Sequence, residues 1–239
     1  MAKRKIRRKE LKKPDEFITF GSRIIAWCQD NMRIVVGVLA SVAVLILIIS
    51  AVFLFKARRE TKARGLYDEA LSLYQVESSG SAGAINYSMA AAKLEEVKQR
   101  YHSTTVATNA LIDLGNIYFQ LGDHEKAISC YTDFLQRTDL SHPLHDQALE
   151  SLGETYEAKG SWQEAVEVYQ RLASEGTPGY QAQAQLYLGR VYEAIGDQQK
   201  AMTHYDNYLN ENPALIFGEW IRIKLRRWRQ AENPNPDIS

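Results

Sequence analysis

The chain has 239 residues, with 29 Lys/Arg balanced by 29 Asp/Glu and only two cysteines, Cys28 and Cys130. That length accommodates one large or two small domains, and two cysteines imply no disulfide framework. The zero net charge hides an asymmetry: residues 1–33 carry ten Lys/Arg and four acids, a net +6, which leaves 19 basic and 25 acidic residues, a net −6, on residues 34–239. A basic head on an acidic body points to an anionic surface at one end.

In chain order, residues 1–13 are a basic cytoplasmic tail. Residues 14–31 follow as an amphipathic helix: Pro14, Asp15 and Glu16 suit a helix start, and Phe17, Phe20, Ile24 and Cys28 fall at helical spacing opposite Ser22, Arg23 and Gln29. Such a helix lies at the membrane interface with the basic tail near anionic lipid; an ordinary helix packed on another protein is the alternative. Residues 33–55 read as a transmembrane helix. From Ile34 to Phe55 there is no charge, and about 22 residues at roughly 1.5 Å each span a hydrocarbon core of about 30 Å. The run is too long for a signal-peptide core and no small-x-small cleavage site precedes Lys56–Arg59, so an uncleaved anchor is expected, which favours lipid over nucleic acid as the anionic surface. Ten Lys/Arg lie before the run and five (Lys56, Arg58, Arg59, Lys62, Arg64) just after it, which places the N-terminus in the cytoplasm and the body outside. The pair Gly37 and Ser41 has the spacing of a close helix–helix contact in membranes.

Residues 58–231 are helical in pattern, and one motif recurs. Leu-Gly-x-x-Tyr occurs at Leu114–Tyr118, Leu152–Tyr156 and Leu188–Tyr192. In each copy the motif glycine (Gly115, Gly153, Gly189) precedes a turn glycine (Gly122, Gly160, Gly196), an alanine (Ala127, Ala165, Ala201) and a second tyrosine (Tyr131, Tyr169, Tyr205) at identical spacing. This resembles the tetratricopeptide repeat, a helix-turn-helix of 34 residues with W-x₂-L-G-x₂-Y followed by A-x₃-F and Pro. The expected fold class is all-α: an N-terminal transmembrane helix, then a right-handed tetratricopeptide-repeat solenoid with a C-terminal capping helix. Small residues at the crossing let the paired helices approach closely. A degenerate leading copy pairs Tyr67, Leu71 and Tyr74 with Ala90, Leu94 and Val97 across a Glu77–Ala84 loop. Asp123 and Asp197 are expected helix caps, and Ser161 with Glu164 a capping box. After Pro213, a helix with Leu215, Ile216, Trp220, Ile223, Leu225 and Trp228 interleaved with Arg222, Lys224, Arg226, Arg227 and Arg229 caps the stack with a solvated basic face. Residues 232–239 form a disordered tail.

Catalytic signatures are absent: the sequence has no G-x-S-x-G, no H-E-x-x-H and no Cys-x-x-Cys. His142 and His145 have helical spacing, but Pro143 between them and the lack of a nearby cysteine argue against a metal site. Cys130 reads as a small space-filler. No enzyme activity, metal or cofactor is expected. Carried over from the repeat family by matched position, the groove-lining residues are Asn109, Ile112, Asn116 and Phe119 in the first clear copy, Gln147, Glu150, Glu154 and Glu157 in the second, and Gln183, Leu186, Arg190 and Glu193 in the third. Four glutamates around Ile112, Phe119 and Leu186 favour basic or neutral extended segments.

The layout from Asp15 onward, with "AWCQDN" at Ala26–Asn31, an anchor opening on "MRIVVG" and a repeat domain, resembles the YfgM-type ancillary subunits of the bacterial Sec translocon. That resemblance implies a single-pass inner-membrane protein with a periplasmic repeat domain near the secretion machinery, whose partners would be the translocon, a periplasmic chaperone or a nascent chain. A structural adaptor of a cell-envelope complex, for division or outer-membrane assembly, is the alternative.

Overall fold

The structure is a computed structural model that describes residues 16–74, 81–211 and 218–232. The basic tail, half of the expected Glu77–Ala84 loop, Pro213, Leu215, Ile216 and nearly all of the C-terminal tail lie outside the described residues. Among the described residues ten helices follow one another: α1 (Glu16–Asp30), α2 (Met32–Tyr74), α3 (Ser81–Arg100), α4 (Thr105–Gln120), α5 (His124–Arg137), α6 (His145–Lys159), α7 (Trp162–Glu175), α8 (Pro178–Ile195), α9 (Gln198–Glu211) and α10 (Gly218–Glu232). Among the described residues there is no strand. The chain divides into two compact units, Met1–Ala57 and Arg58–Ser239.

In the first unit, a break at Asn31 separates α1 from α2, and the Asn31 side chain donates back to the Trp27 carbonyl at 2.9 Å. Along α2, Leu39, Leu45, Leu47, Phe53 and Phe55 each leave 56–72% of their surface uncovered. Among the described residues, α2 is the helix long and apolar enough to cross a membrane, and none of its apolar window is buried. Ser41 donates to the Gly37 carbonyl of its own helix at 2.8 Å.

The second unit is a stack of antiparallel helix pairs: α4 on α5, α6 on α7 and α8 on α9, each pair also packed on the next. The motif glycines explain why the pairs nest. A Cβ on Gly115 or Gly189 would stand 2.5 Å from the ring of Tyr131 or Tyr205, and one on Gly153 closer still to Tyr169. In every pair, then, an aromatic ring of the second helix lies against the bare backbone of the first. The alanines of the motif (Ala127, Ala165, Ala201) are fully buried, so both helices are thinned at the crossing as expected, and the tyrosine fills the space that the glycine leaves. Burying such a ring contributes about 1.5–3 kcal/mol. Around these contacts one core gathers Ile112, Phe134, Leu149, Leu172 and Leu188, and another gathers Leu94, Val97, Leu114 and Ile117. Ala90, Leu94 and Val97 of α3 are completely buried. Cys130 is buried beside them, and burial pushes its thiol up to about 12.

The turns follow from backbone chemistry. Gly122, Gly160 and Gly196 adopt φ of 76°, 78° and 90°, a region closed to most side chains. Asp123 and Asp197 cap the next helix by accepting from the Lys126 and Lys200 amides at 3.3 and 3.1 Å. Ser161 does not form the expected capping box: its side chain makes no cap hydrogen bond. Ser161 and Asp123 share almost the same backbone (ψ 69° and 71°). At that ψ, the longer Asp carboxylate reaches the amide and the serine hydroxyl falls short. The loop expected at Glu77–Ala84 is shorter than its sequence suggested, because Ser81–Ala84 already belong to α3.

Successive repeats are also clipped together by carboxylates. Glu60 of α2 accepts from the Thr105 and Val106 amides at 3.1 and 3.0 Å, at the start of α4. Asp146 of α6, 8% exposed, accepts from the Thr177 amide and hydroxyl at 2.9 and 2.8 Å, at the start of α8. Both place a negative charge at the positive end of a helix. His142 and His145 are occupied elsewhere: the His142 ring packs edge-on against Phe134 with centroids 5.0 Å apart, and His145 is buried next to Asp146.

Two predictions follow from these contacts. Gly153→Ala lowers stability by about 1–3 kcal/mol through overpacking, whereas Gly65→Ala, at an exposed helical site with nothing within 4 Å, raises it by about 0.5–1 kcal/mol; thermal unfolding of the full chain followed by circular dichroism measures both. Burial works to raise the Asp146 pKa, but the two Thr177 bonds and His145 outweigh it and hold the carboxyl below its ordinary value. Its stabilisation is therefore complete above the unfolded value of about 3.9 and is lost as pH falls through the lower folded value. Asp146→Asn costs about 1–2 kcal/mol at pH 7, and its melting curve converges with wild type only below about pH 4.

Candidate protein-binding groove

The first helices α4, α6 and α8 carry the twelve residues assigned to the groove, and the structure sorts them by what the next repeat does. Ile112 is 3% exposed and belongs to the core with Ala148, Leu149 and Leu152 of α6. It is a core residue, not a groove residue, because the following first helix closes over it. Its counterpart Glu150 is half-buried and accepts a hydrogen bond from the Tyr187 hydroxyl of α8. Leu186, the counterpart in the last repeat, lines an open cleft of about 850 Å³ together with Glu154, Gln183, Tyr187, Arg190, Glu193, Tyr205, Trp220 and Lys224. Five predicted residues thus meet in one concavity: Glu154, Gln183, Leu186, Arg190 and Glu193. Asn109, Asn116, Phe119 and Gln147 are half-buried away from it. Asn116 accepts from the Tyr131 hydroxyl at 2.6 Å, and the Phe119 ring packs on His124 with centroids 5.7 Å apart. The Asn109 Oδ1 is buried without a hydrogen-bond partner among the described residues.

A repeated three-membered ladder fixes most of the groove's charge. The motif tyrosine of the second helix donates its hydroxyl to a glutamate of its own first helix, and that glutamate takes a cation from the next element. Tyr169 donates to Glu157 at 2.6 Å, and the Arg190 guanidinium pairs with both oxygens of Glu157 at 2.6 and 3.0 Å. Tyr205 donates to Glu193 at 2.8 Å, and Lys224 Nζ lies 2.5 and 2.7 Å from its oxygens. Burial and the neighbouring carboxylate drive the Tyr169 and Tyr205 phenols well above their ordinary pKa. Burial opposes the charge of Arg190, but Glu157 outweighs it and raises the pKa further.

These contacts show that α10 takes the place that the first helix of a further repeat would hold: Lys224 stands to Glu193 as Arg190 stands to Glu157. Ile221 and Leu225 of α10 are buried. The basic face expected to be wholly solvated is therefore partly committed inward. Lys224 is 19% exposed in its side chain and lies over Trp220 and Trp228, 4.1 and 5.4 Å from the ring centroids. Sequence reasoning missed Tyr187, Tyr205, Trp220 and Lys224 as groove residues. Tyr205 enters the sequence pattern only as a motif position and Tyr187 lies outside the repeated positions, while the available signal for Lys224 is its 31-residue separation from Glu193, close to the 33 that separates Glu157 from Arg190.

Glu154 breaks the ladder. It occupies the position that Arg190 and Lys224 hold in the later elements, and Phe119 stands where a partner carboxylate would be. It has no hydrogen bond or ion pair among the described residues. Partial desolvation in the concavity, with Glu150 and Glu157 nearby, raises its pKa against the pull of Arg190.

The ladder carboxylates and Glu154 separate by stability. Glu157→Ala strands the Tyr169 phenol and the Arg190 guanidinium and costs about 1–3 kcal/mol, whereas Glu154→Gln stays within about 0.5 kcal/mol of wild type, both measured by chemical denaturation.

Comparison with known proteins matches residues 112–181 and, separately, residues 183–214 to tetratricopeptide repeat models. No curated protein matches the chain. Among solved structures, MamA superposes with a TM-score of 0.52 at 18% identity over 77% of this chain and 98% of that one. A second MamA structure gives 0.50 at 22% identity over 60% and 79%. A tetratricopeptide repeat protein from Parabacteroides merdae gives 0.54 at 17% identity over 74% and 68%. At these identities the likeness is one of fold. The internal repeats, the two matches and the shared solenoid agree: residues 112–181 and 183–214 are tetratricopeptide repeats, units that typically mediate protein–protein interaction.

Proposed function

We propose that the chain is a membrane-anchored scaffold that binds extended protein segments in the cleft between α6, α8 and α10 and carries out no catalysis of its own. The observation that carries the binding role is the cleft itself: Leu186 and Trp220 offer apolar surface in a concavity whose cations are already neutralised by the protein's own carboxylates. The uncovered apolar run of α2 supports the anchor, with residues 33–55 across the bilayer, residues 14–31 at the interface and residues 1–13 in the cytoplasm. The Lys/Arg asymmetry supports a periplasmic repeat domain. The layout shared with YfgM-type proteins makes the Sec translocon, a periplasmic chaperone or an emerging chain the proposed partner.

Sodium carbonate extraction of native membranes leaves the protein in the pellet, and protease added to spheroplasts removes the repeat domain. Release into the supernatant contradicts the anchor. Photo-crosslinking from Leu186 in the same membranes, read by mass spectrometry, recovers translocon subunits, periplasmic chaperones or their clients; recovery of cell-wall or division proteins instead supports an envelope adaptor.

A further inference from the structure

The groove ladder carries a more specific consequence, which rests on the groove-binding role proposed above. In two successive steps a glutamate of one repeat meets a cation of the next element, Glu157 with Arg190 and Glu193 with Lys224. One step earlier both members differ: the glutamate position holds Phe119 and the cation position holds Glu154. The two cations that line the cleft are spent on the protein's own carboxylates. The Glu150 carboxylate receives the Tyr187 hydroxyl but forms no ion pair among the described residues, and Glu154 forms neither a hydrogen bond nor an ion pair there. Of the four glutamates in and beside the cleft, Glu157 and Glu193 are paired with Arg190 and Lys224, which leaves Glu150 and Glu154 without an ion pair among the described residues, and of these two Glu154 lines the cleft. Beside it, the half-buried Leu186 of α8 and the half-exposed Trp220 of α10 (52%) provide apolar surface.

We propose that this cleft selects a basic–apolar pair in an extended polypeptide: a lysine or arginine side chain is held by Glu154 while a neighbouring apolar side chain packs on Leu186 and Trp220. The bound cation supplies the partner that the repeat ladder omits at this step. Taking up the cation lowers the electrostatic cost of holding Glu154 ionised in the concavity, because an opposite charge offsets both its desolvation and the repulsion from Glu150 and Glu157. The apolar neighbour excludes water from that pair, which strengthens it. An acidic residue at the same place meets Glu154 and Glu150 with nothing free to neutralise it, so it is rejected rather than merely unrewarded.

The test uses the full-length protein and three fluorescent extended decapeptides that are identical except for one central residue, Arg, Gln or Glu, followed by Leu. Fluorescence anisotropy measures affinity, and a photo-crosslinker at Leu186 locates the bound peptide. The Arg peptide binds roughly fivefold or more tighter than the Gln peptide, with the Glu peptide weakest. Glu154→Gln removes this ranking without loss of fold, since the side chain holds no other group in place. Trp220→Ala weakens all three peptides and keeps their order. If the three peptides crosslink at Leu186 with equal affinity, or if Glu154→Gln keeps the ranking, the selectivity proposal is overturned while groove binding stands. If no peptide crosslinks at Leu186, both are overturned.

Discussion

The fold of the repeat unit depends on a tyrosine ring pressed against a glycine backbone. A helix pair with ordinary side chains at its crossing keeps its axes 8–10 Å apart. Removing the Cβ at Gly115, Gly153 and Gly189 opens a hollow of one ring's thickness, and Tyr131, Tyr169 and Tyr205 fill it. The contact is apolar and close-packed, so it tolerates little change in volume. It also has a direction: with the ring fixed over the glycine, the hydroxyl reaches the inner surface of the stack. One packing decision therefore sets both how the helices nest and which polar atom faces the groove.

That hydroxyl links folding to recognition. It converts groove glutamates into structural groups, because Glu157 and Glu193 satisfy a buried phenol and anchor the next element through Arg190 or Lys224. The surface chemistry of the groove is consequently what remains after these internal demands are met. Counting acidic residues along the first helices overstates the charge available to a partner. Their hydrogen bonds show where it is concentrated: at Glu154, beside the apolar wall built where α10 takes up the position of another first helix.

Much of this was legible in the sequence because it is periodic and local. The spacing of Gly115, Gly153 and Gly189 from their tyrosines is invariant, the turn glycines recur in phase, and Asp123 and Asp197 act on amides three residues away. What was not legible is solitary and long-range. Glu60 and Asp146 clip the starts of α4 and α8 across 45 and 31 residues, and neither recurs at matched spacing. Ile112 was assigned to the groove because position within a helix does not reveal whether the next helix covers it. Lys224 and Trp220 lie beyond the last complete repeat, where the matched-position rule has no template. Ser161 was misjudged for a subtler reason: the residue type suited a cap, but the backbone angle required a longer side chain.

The nesting of ring on glycine is tested most directly by the proton shifts of the glycines themselves. In the folded full-length protein labelled selectively at glycine, the α-protons of Gly115, Gly153 and Gly189 lie over the tyrosine faces, and their ring currents displace them strongly upfield, while Gly65, with nothing within 4 Å, stays near its random-coil position. Phenylalanine in place of Tyr169 keeps the Gly153 shift, and leucine there abolishes it. Motif glycines that resonate with Gly65 in the wild-type protein would contradict the account, because the helices would then be held together by some other contact.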